Sequence, residues 1–271
     1  MTLAELKRKS RYYRQEILTF IYQAGAGHTG GSLSCIDILN VLYNAVMDIR
    51  PENWESLQRD VYIQSKGHSV EALYIVLADL GFFDRSELKT GNRFQTRLVG
   101  HPTRKLPGIE HNTGGLGHGL SVSVGLALAA KLDKRSSRVF CLLGDGELSE
   151  GSNWEAAMSA AHYKLDNLIA VVDRNGLQIT GPTAQVNDLK PLEDKFTAFG
   201  WEVRRTDGHD IPKLVEALSG LPFAPGKPGV LIADTVKGRG VSFIEGRVEW
   251  HHKVPSREQY QLAMRELEVR S

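Results

Sequence analysis

A Gly-Asp-Gly-Glu turn at residues 144–147 directly follows the apolar segment 138–143, which is typical of a buried parallel strand. Asp145 is expected to project from the C-terminal end of that strand. The first glycine permits a tight turn, and the second, Gly146, leaves its backbone N–H open to a phosphate. A helix N-terminus follows and adds unpaired N–H groups with a favourable dipole. Most isolated turns of this kind bind no ion, so the interpretation needs support from elsewhere in the chain.

Asn175 provides that support. It follows a second apolar strand candidate, 167–173, and lies 30 residues after Asp145, about the length of one strand–helix–strand crossover. Because neighbouring parallel strands end at the same edge of a sheet, both side chains can meet there. Carboxylate, amide and carbonyl oxygens are hard ligands suited to Mg²⁺, which completes its octahedron with phosphate oxygens and water. The pair therefore predicts a site for a divalent ion and a phosphate-containing ligand.

The elements that must position these residues alternate between strands and helices. Helical spacing of apolar residues predicts a first helix from Leu3 to the glycines at 25–27, and a capping box at 256–259 predicts a last one. The predicted strands are 60–63, 138–143, 167–173, 201–203 and 229–233, and the other predicted helices are 36–43, 70–80, 119–131, 154–163 and 211–218. This alternation predicts an α/β fold with a doubly wound, mostly parallel sheet, and ligands beyond the C-terminal strand ends. No convincing linker interrupts it, so we expect a single domain over residues 1–271.

Composition and charge exclude several functional classes. The 271 residues are 41% hydrophobic and 24% charged, as in an ordinary globular protein. The 33 basic and 32 acidic residues leave a net charge of +1, so we expect neither nucleic acid nor a membrane surface as a partner. No apolar targeting segment or membrane span is apparent, which makes the cytoplasm the expected location. Cys35 and Cys141 lie in apolar stretches and are predicted to be buried thiols.

Residues 144–156, together with Asn175 and the Thr-Gly pair at 180–181, resemble the thiamine diphosphate motif of the transketolase family. The resemblance covers most of the chain. It implies a thiamine-diphosphate-binding domain of the diphosphate-holding (PP) type, with thiamine diphosphate and Mg²⁺, or another divalent ion such as Ca²⁺ or Mn²⁺, as cofactors. It also implies that Asp145, Asn175 and the backbone carbonyl of Leu177 bind the ion.

Histidines in loops similar to those of the family extend the resemblance. A single histidine is most often structural or exposed, but several here fall in matching positions. The resemblance implies that His28, His101 and His251 face the reacting sugar as catalytic groups, and that His68, Lys237 and His251 contact the cofactor. His252 occupies a position that is often glycine in relatives, and the resemblance assigns it no role.

The glycine-rich loop 112–119 matches neither a P-loop nor a dinucleotide-binding fingerprint when taken alone. In the family this loop presents backbone atoms and a leucine to the rings of the cofactor. The resemblance therefore implies cofactor contacts for Gly114, Gly115 and Leu116, with Ile179 as a further apolar wall. Gly146 is expected to contact the cofactor at its phosphate end.

In the family, a glutamate from a second, pyrimidine-binding domain activates the cofactor, and that domain would follow residue 271. We therefore expect it, with the C-terminal domain, on a separate chain. The resemblance implies that this chain is the N-terminal subunit of a split transketolase. Two copies of each chain would form a symmetric α2β2 heterotetramer, and closed symmetry is common among oligomers. The implied reaction transfers a two-carbon ketol unit between a ketose and an aldose, as in pentose phosphate metabolism, and the sugars are expected to be phosphorylated.

Three alternatives stay open at this point. An enzyme similar to 1-deoxyxylulose-phosphate synthase is expected to differ around residues 250–251, and an α subunit similar to those of 2-oxo acid dehydrogenases is expected to lack this set of histidines. A non-catalytic or regulatory subunit with the same fold would need none of the ionisable residues assigned above.

Overall fold

The computed structural model of the chain describes residues 1–269. Five parallel strands form one sheet in the order β1-β2-β3-β5-β4. The strands are β1 (Val61–Gln64), β2 (Val139–Gly144), β3 (Leu168–Arg174), β4 (Glu202–Asp207) and β5 (Gly229–Asp234). Strand β2 is buried along its whole length, which requires helices on both faces of the sheet.

Helices cover the two faces of the sheet. They are α1 (Leu3–Ala24), α2 (Thr29–Val41), α3 (Val70–Asp79), α4 (Gly119–Leu132), α5 (Gly151–His162), α6 (Thr183–Val186), α7 (Leu192–Ala198), α8 (Ile211–Ala217) and α9 (Arg257–Val269). One core layer packs α1, α2 and α3 against alternate strand residues such as Phe140 and Leu142. The other packs α4, α5 and α7 against the intervening residues, such as Cys141 and Leu143. Because successive strand side chains point to opposite faces, this division confirms the predicted doubly wound fold.

The predicted strands are all present, with shifts of a residue or more at their ends. Strand β4 begins at Glu202 because Trp201 turns into the core, where its indole N–H donates to the carbonyl of Ala157 at 2.9 Å. The capping box before the last helix is confirmed. Ser256 Oγ accepts the Gln259 N–H at 3.2 Å, and Gln259 Oε1 accepts the Ser256 N–H at 2.9 Å.

Helices α6 and α7 were not predicted, and a further difference from the predicted elements lies at residues 29–35. The sequence predicts a loop there and a helix from residue 36, but α2 already begins at Thr29. A Cβ at Gly30 would lie 2.8 Å from both the Cγ of Lys237 and the carbonyl oxygen of Trp250. Glycine is therefore required for close packing inside a helix rather than for a turn. The prediction was wrong because close approach and turn formation favour the same residue type.

The two cysteines are buried free thiols, as predicted. Burial raises the pKa of Cys35 to about 11, so its thiol is protonated at neutral pH. Within residues 1–269, no helix combines the length and the apolar character that a bilayer crossing requires.

Candidate active site

A cavity of about 300 Å³ opens beyond the C-terminal ends of β2 and β3. Most of the site residues expected from the sequence line it: His28, His68, His101, Gly114, Leu116, Asp145, Gly146, Asn175, Leu177, Ile179, Lys237 and His251. Gly115 is exposed and lies outside the lining. Ile179 lies at the rim with 65% of its surface exposed. Residues from distant parts of the chain therefore converge on one cavity.

Asp145 and Asn175 are fixed at neighbouring strand ends. The Asp145 carboxylate accepts the Gly146 N–H through Oδ1 at 2.9 Å and the Gly176 N–H through Oδ2 at 2.7 Å. Asn175 Oδ1 accepts the Leu177 N–H at 3.1 Å. Since Gly176 directly follows Asn175, the carboxylate reaches the turn that carries the amide. The structure thus brings together the two side chains that the sequence predicts to meet.

Three oxygen donors in this wall fit a divalent cation. They are the Asp145 carboxylate, the Asn175 amide oxygen and the Leu177 carbonyl. The Leu177 carbonyl accepts from Lys237 Nζ at 3.2 Å, which uses one of its two lone pairs. Burial raises the pKa of Asp145 to about 6, and the nearby Asp173 carboxylate adds to the shift. A bound cation would stabilise the ionised carboxylate, so both the donor types and the charge fit.

Across residues 1–269, no group of three or more His, Cys, Asp or Glu side chains is arranged to hold a metal ion. The site described above is not of that type, because two of its three donors are amide and carbonyl oxygens.

A buried ion pair lies beside the cavity. The Lys66 ammonium contacts the Asp173 carboxylate, and the two side chains are 2% and 0% exposed. Ser34 Oγ donates to Asp173 at 2.6 Å, and the Thr235 hydroxyl also donates to it. Burial opposes both charges, but each partner outweighs it, which raises the pKa of Lys66 and lowers the pKa of Asp173. The pair is therefore ionised and adds no net charge to the site.

Glu147 joins three loops around the cavity. One carboxylate oxygen accepts the Ser65 hydroxyl and the Gly117 N–H, the latter at 3.0 Å. The other accepts the Gly144 N–H at 3.0 Å. The loops that follow β1 and β2 and the loop that precedes α4 all carry residues of the cavity lining. Glu147 therefore sets the positions of these loops relative to one another.

Imidazole rings surround His28. Its ring centroid lies 5.3 Å from that of His68, 5.9 Å from His101, 5.6 Å from His251 and 4.6 Å from His252. Burial, together with the neighbouring imidazoles, lowers the pKa of His28 to about 3. Burial and the Lys237 ammonium likewise lower the pKa of His251 to about 4. Both rings are therefore neutral at pH 7, and each presents one nitrogen as an acceptor and one as a donor.

Glu71 holds His28 in place. Its Oε1 accepts the backbone N–H of His28 at 3.0 Å, and its Oε2 accepts the Ser32 hydroxyl at 2.7 Å. The Nδ1 of His28 is buried and has no hydrogen-bond partner within residues 1–269. Buried polar atoms are normally paired, so this nitrogen is available to a ligand in the cavity.

Lys237 reaches the cavity from the loop after β5. Its Nζ contacts His251 Nδ1 at 2.9 Å. Burial lowers the pKa of Lys237 to about 8, and the nearby Lys66 ammonium contributes to the shift. The group is therefore mostly protonated at neutral pH. It lines the cavity, where it can contact an anionic ligand.

Two contacts anchor this loop on the body of the protein. The Gly238 N–H donates to the Gly30 carbonyl at 2.9 Å, and the Val236 N–H donates to His209 Nε2 at 2.8 Å. His209 Nδ1 lies 2.8 Å from the Asp37 carboxylate. Because Nε2 accepts, Nδ1 carries the proton and donates to Asp37.

Several residues at the site received no role from the sequence: Lys66, Glu71, Glu147, Asp173, Gln178 and His252. The first four are charged residues in apolar or glycine-rich stretches of the sequence. That position is the sequence feature from which a role at the site could have been predicted. A charge that cannot reach water must have a partner. The sequence does not show which partner, because that depends on packing.

Comparison with known proteins identifies the family. A family model described as "Transketolase, thiamine diphosphate binding domain" matches residues 7–266. The chain belongs to this family. The match confirms the resemblance indicated by the motif after β2 and β3 and by the histidine-bearing loops.

Two curated relatives of this transketolase-family chain have nearly its length. A Phocaeicola vulgatus protein named as one subunit of an apulose-4-phosphate transketolase is 46% identical over 270 residues, which cover 100% of this chain and 96% of the relative. The protein of the same name from Actinobacillus succinogenes is 48% identical over 265 residues, with coverages of 97% and 96%.

A solved transketolase from Campylobacter jejuni matches the fold with a TM-score of 0.92 at 30% identity. The match covers 99% of this chain but 43% of that chain. This chain therefore spans about two fifths of the length of that solved transketolase.

Proposed function

We propose that the chain is the cofactor-binding subunit of a two-chain transketolase that transfers a two-carbon ketol unit from a ketose to an aldose. The observation that carries the proposal is the shared cavity wall of Asp145 and Asn175, which faces histidines and Lys237. The two relatives that are named as transketolase subunits align with this chain over 96% of their lengths. Their names and their lengths support a separate partner chain.

Thiamine diphosphate with a divalent ion is the ligand that fits these residues. Asp145, Asn175 and the Leu177 carbonyl would hold Mg²⁺, or alternatively Ca²⁺ or Mn²⁺. The diphosphate carries about −3, the ion +2 and the carboxylate −1, which leaves about −2 to be offset locally. Lys237, which is mostly protonated at neutral pH, would offset part of this charge. Gly146, His68 and His251 would contact the cofactor through hydrogen bonds, while Gly114, Gly115, Leu116 and Ile179 would contact its rings.

When bound, thiamine diphosphate supplies the nucleophilic carbon and the electron sink of ketol transfer. The chain's own residues bind, orient and exchange protons. His28 lines the cavity, its Nδ1 has no hydrogen-bond partner within residues 1–269, and its ring is neutral at pH 7, so one ring nitrogen is an acceptor. It is therefore suited to accept a hydrogen bond from a sugar hydroxyl and to orient that hydroxyl. His101 and His251 lie within 5.9 Å of it, measured between ring centroids, and would donate to the sugar's carbonyl and hydroxyl oxygens.

The partner chain would carry the pyrimidine-binding and C-terminal domains. An assembly of two copies of each chain, α2β2, suits the symmetry preferred by oligomers. The relatives' names support a sugar phosphate as substrate, and the cytoplasm is the expected location of the enzyme. A non-catalytic role is the weaker candidate, because the buried ionisable residues would then cost folding free energy with no function to retain them.

The test is co-expression with a partner chain encoded beside this one, followed by assays of ketol transfer with and without thiamine diphosphate and Mg²⁺. Activity should require both chains and both cofactors. Asp145→Ala should abolish cofactor-dependent turnover, because it removes the only carboxylate among the proposed ion ligands. Asp133→Ala is the matched control, since the Asp133 side chain is 64% exposed and should leave activity unchanged.

Two results would contradict the proposal. Ketol transfer by this chain alone would exclude the need for a partner. Full activity of the Asp145→Ala variant would exclude the ion site.

A further inference from the structure

Gln178 lies in the turn after β3 and packs directly over the Gly146 turn. Its backbone N–H donates to the Gly181 carbonyl at 2.8 Å, which fixes the base of the side chain. A Cβ built on Gly146 would lie 2.8 Å from Gln178 Cγ and 3.2 Å from Gln178 Cδ. The side-chain amide is therefore held against the turn at one wall of the cavity, of which Gln178 is itself a lining residue.

The amide nitrogen of this side chain lacks a partner. Gln178 Nε2 is buried and has no hydrogen-bond partner within residues 1–269. Nearly all buried polar atoms in folded proteins are paired, so an unpaired donor on a cavity wall indicates an acceptor that belongs to a ligand.

The surroundings indicate which kind of acceptor this is. Gln178 directly follows Leu177, whose carbonyl accepts from the Lys237 ammonium at 3.2 Å. It also covers Gly146, which directly follows the proposed ion ligand Asp145 and lines the same cavity. An ammonium group and a bound divalent ion both attract an anion to this place. The acceptor that completes this set is a phosphate oxygen.

We infer that Gln178 is an additional cofactor-binding residue whose side-chain amide donates to a phosphate oxygen of thiamine diphosphate. This inference rests on the proposed function and adds a residue to the proposed site. It requires that the side chain contribute to the binding of the diphosphate and not to the stability of the unliganded chain.

The test uses the full-length chain and two probes, magnesium pyrophosphate and thiamine diphosphate with Mg²⁺, titrated by calorimetry. Gln178→Met keeps the length of the side chain and removes the donor. It should raise the Kd of each probe about 10- to 150-fold, the range for a lost hydrogen bond to a charged acceptor. Gln178→Glu places a carboxylate at the same position and should weaken binding further.

Thermal unfolding of the unliganded chain separates binding from structure. Gln178→Met should leave Tm unchanged or raise it, because it replaces an unpaired buried donor with an apolar group. Gln185→Met is the matched control, since Gln185 is exposed in α6, and both its Kd and its Tm should equal those of the wild type.

Wild-type affinity of the Gln178→Met variant for both probes would overturn the inference. So would a large fall in Tm in both Gln178 variants, because it would give the side chain a structural role. If the wild-type chain bound neither probe, the proposed cofactor site itself would be contradicted, which distinguishes that failure from failure of the Gln178 assignment.

Discussion

The buried pair Lys66–Asp173 provides the sharpest test of the energetics of this site. Both side chains are almost completely buried, at 2% and 0% exposed. Asp173 also accepts from Ser34 and Thr235, and Lys66 also donates to the Gly31 carbonyl at 2.9 Å. Lys66→Met would leave a buried carboxylate with two hydroxyl donors and no countercharge.

The expected loss is large. Removing one partner of a buried ion pair costs about 3–5 kcal/mol, because the remaining charge stays desolvated and unpaired. For a domain of this size, each kcal/mol lowers Tm by about 2–4 °C, so Lys66→Met should lower Tm by about 6–20 °C. Asp173→Leu should cost a similar amount, since it leaves the ammonium buried.

The double variant decides between a charge effect and a packing effect. Lys66→Met with Asp173→Leu removes both charges, and such replacements are often neutral or stabilising. We expect the free energy of unfolding of the double variant to lie within about 2 kcal/mol of the wild-type value. The remaining loss would come from the two hydroxyl groups that no longer have an acceptor. Since each single variant should lose at least about 3 kcal/mol, the coupling energy from the double-mutant cycle should be at least about 4 kcal/mol.

The assay is urea and thermal unfolding of the wild type, the two single variants and the double variant. Lys131→Met is the control. Lys131 pairs with Asp166 at 3.0 Å, but those side chains are 40% and 32% exposed. Such a pair contributes about 1 kcal/mol or less. The reasoning is refuted if Lys66→Met unfolds like the control, or if the double variant is no more stable than the worse single variant.

Three further predictions concern pH, packing and loop position. The pKa of His28 is lowered to about 3 in the folded chain from its ordinary value of 6.5, so between these values the unfolded chain binds a proton that the folded chain does not. The free energy of unfolding should therefore be constant above pH 6.5 and fall as the pH decreases below it. In thermal scans, His28→Gln should reduce this dependence on pH. An unchanged pH dependence in the variant would contradict the lowered pKa of His28. Gly30→Ala should destabilise the chain by about 1–3 kcal/mol, because the added Cβ would lie 2.8 Å from two other atoms. Gly125→Ala is the control. Its Cβ would have no atom within 4 Å, so it should stabilise α4 by up to about 1 kcal/mol. Urea unfolding measures both, and equal effects would exclude the packing argument. His209→Phe removes the acceptor of the Val236 N–H. It should lower the free energy of unfolding by about 1–3 kcal/mol and weaken the binding of thiamine diphosphate, which calorimetry measures. Wild-type values of both quantities would show that this anchor is dispensable.

Sequence patterns identified the sheet and the location of the site because both signals are local. Strands β2 and β3 are short apolar runs, and the turn after each contains a polar residue, Asp145 or Asn175. Parallel neighbours end at one edge, so the meeting of these residues follows from chain order and crossover length. The start of α2 was predicted wrongly for the opposite reason. Gly30 is selected by atoms of residues 237 and 250, which no local pattern contains.

By itself, the sequence determined the fold class, the family and most of the residues that line the cavity, because hydrophobic periodicity and motifs can be read without coordinates. Only the tertiary structure decided how the buried charges are paired. Lys66 and Asp173 are 107 residues apart, and Glu71 bonds to a backbone N–H 43 residues away. A buried charge must find a partner, but sequence spacing does not say which, because packing of distant elements brings the partners together. The same reason applies to Gln178, whose unpaired amide is visible only once the wall around it has been assembled.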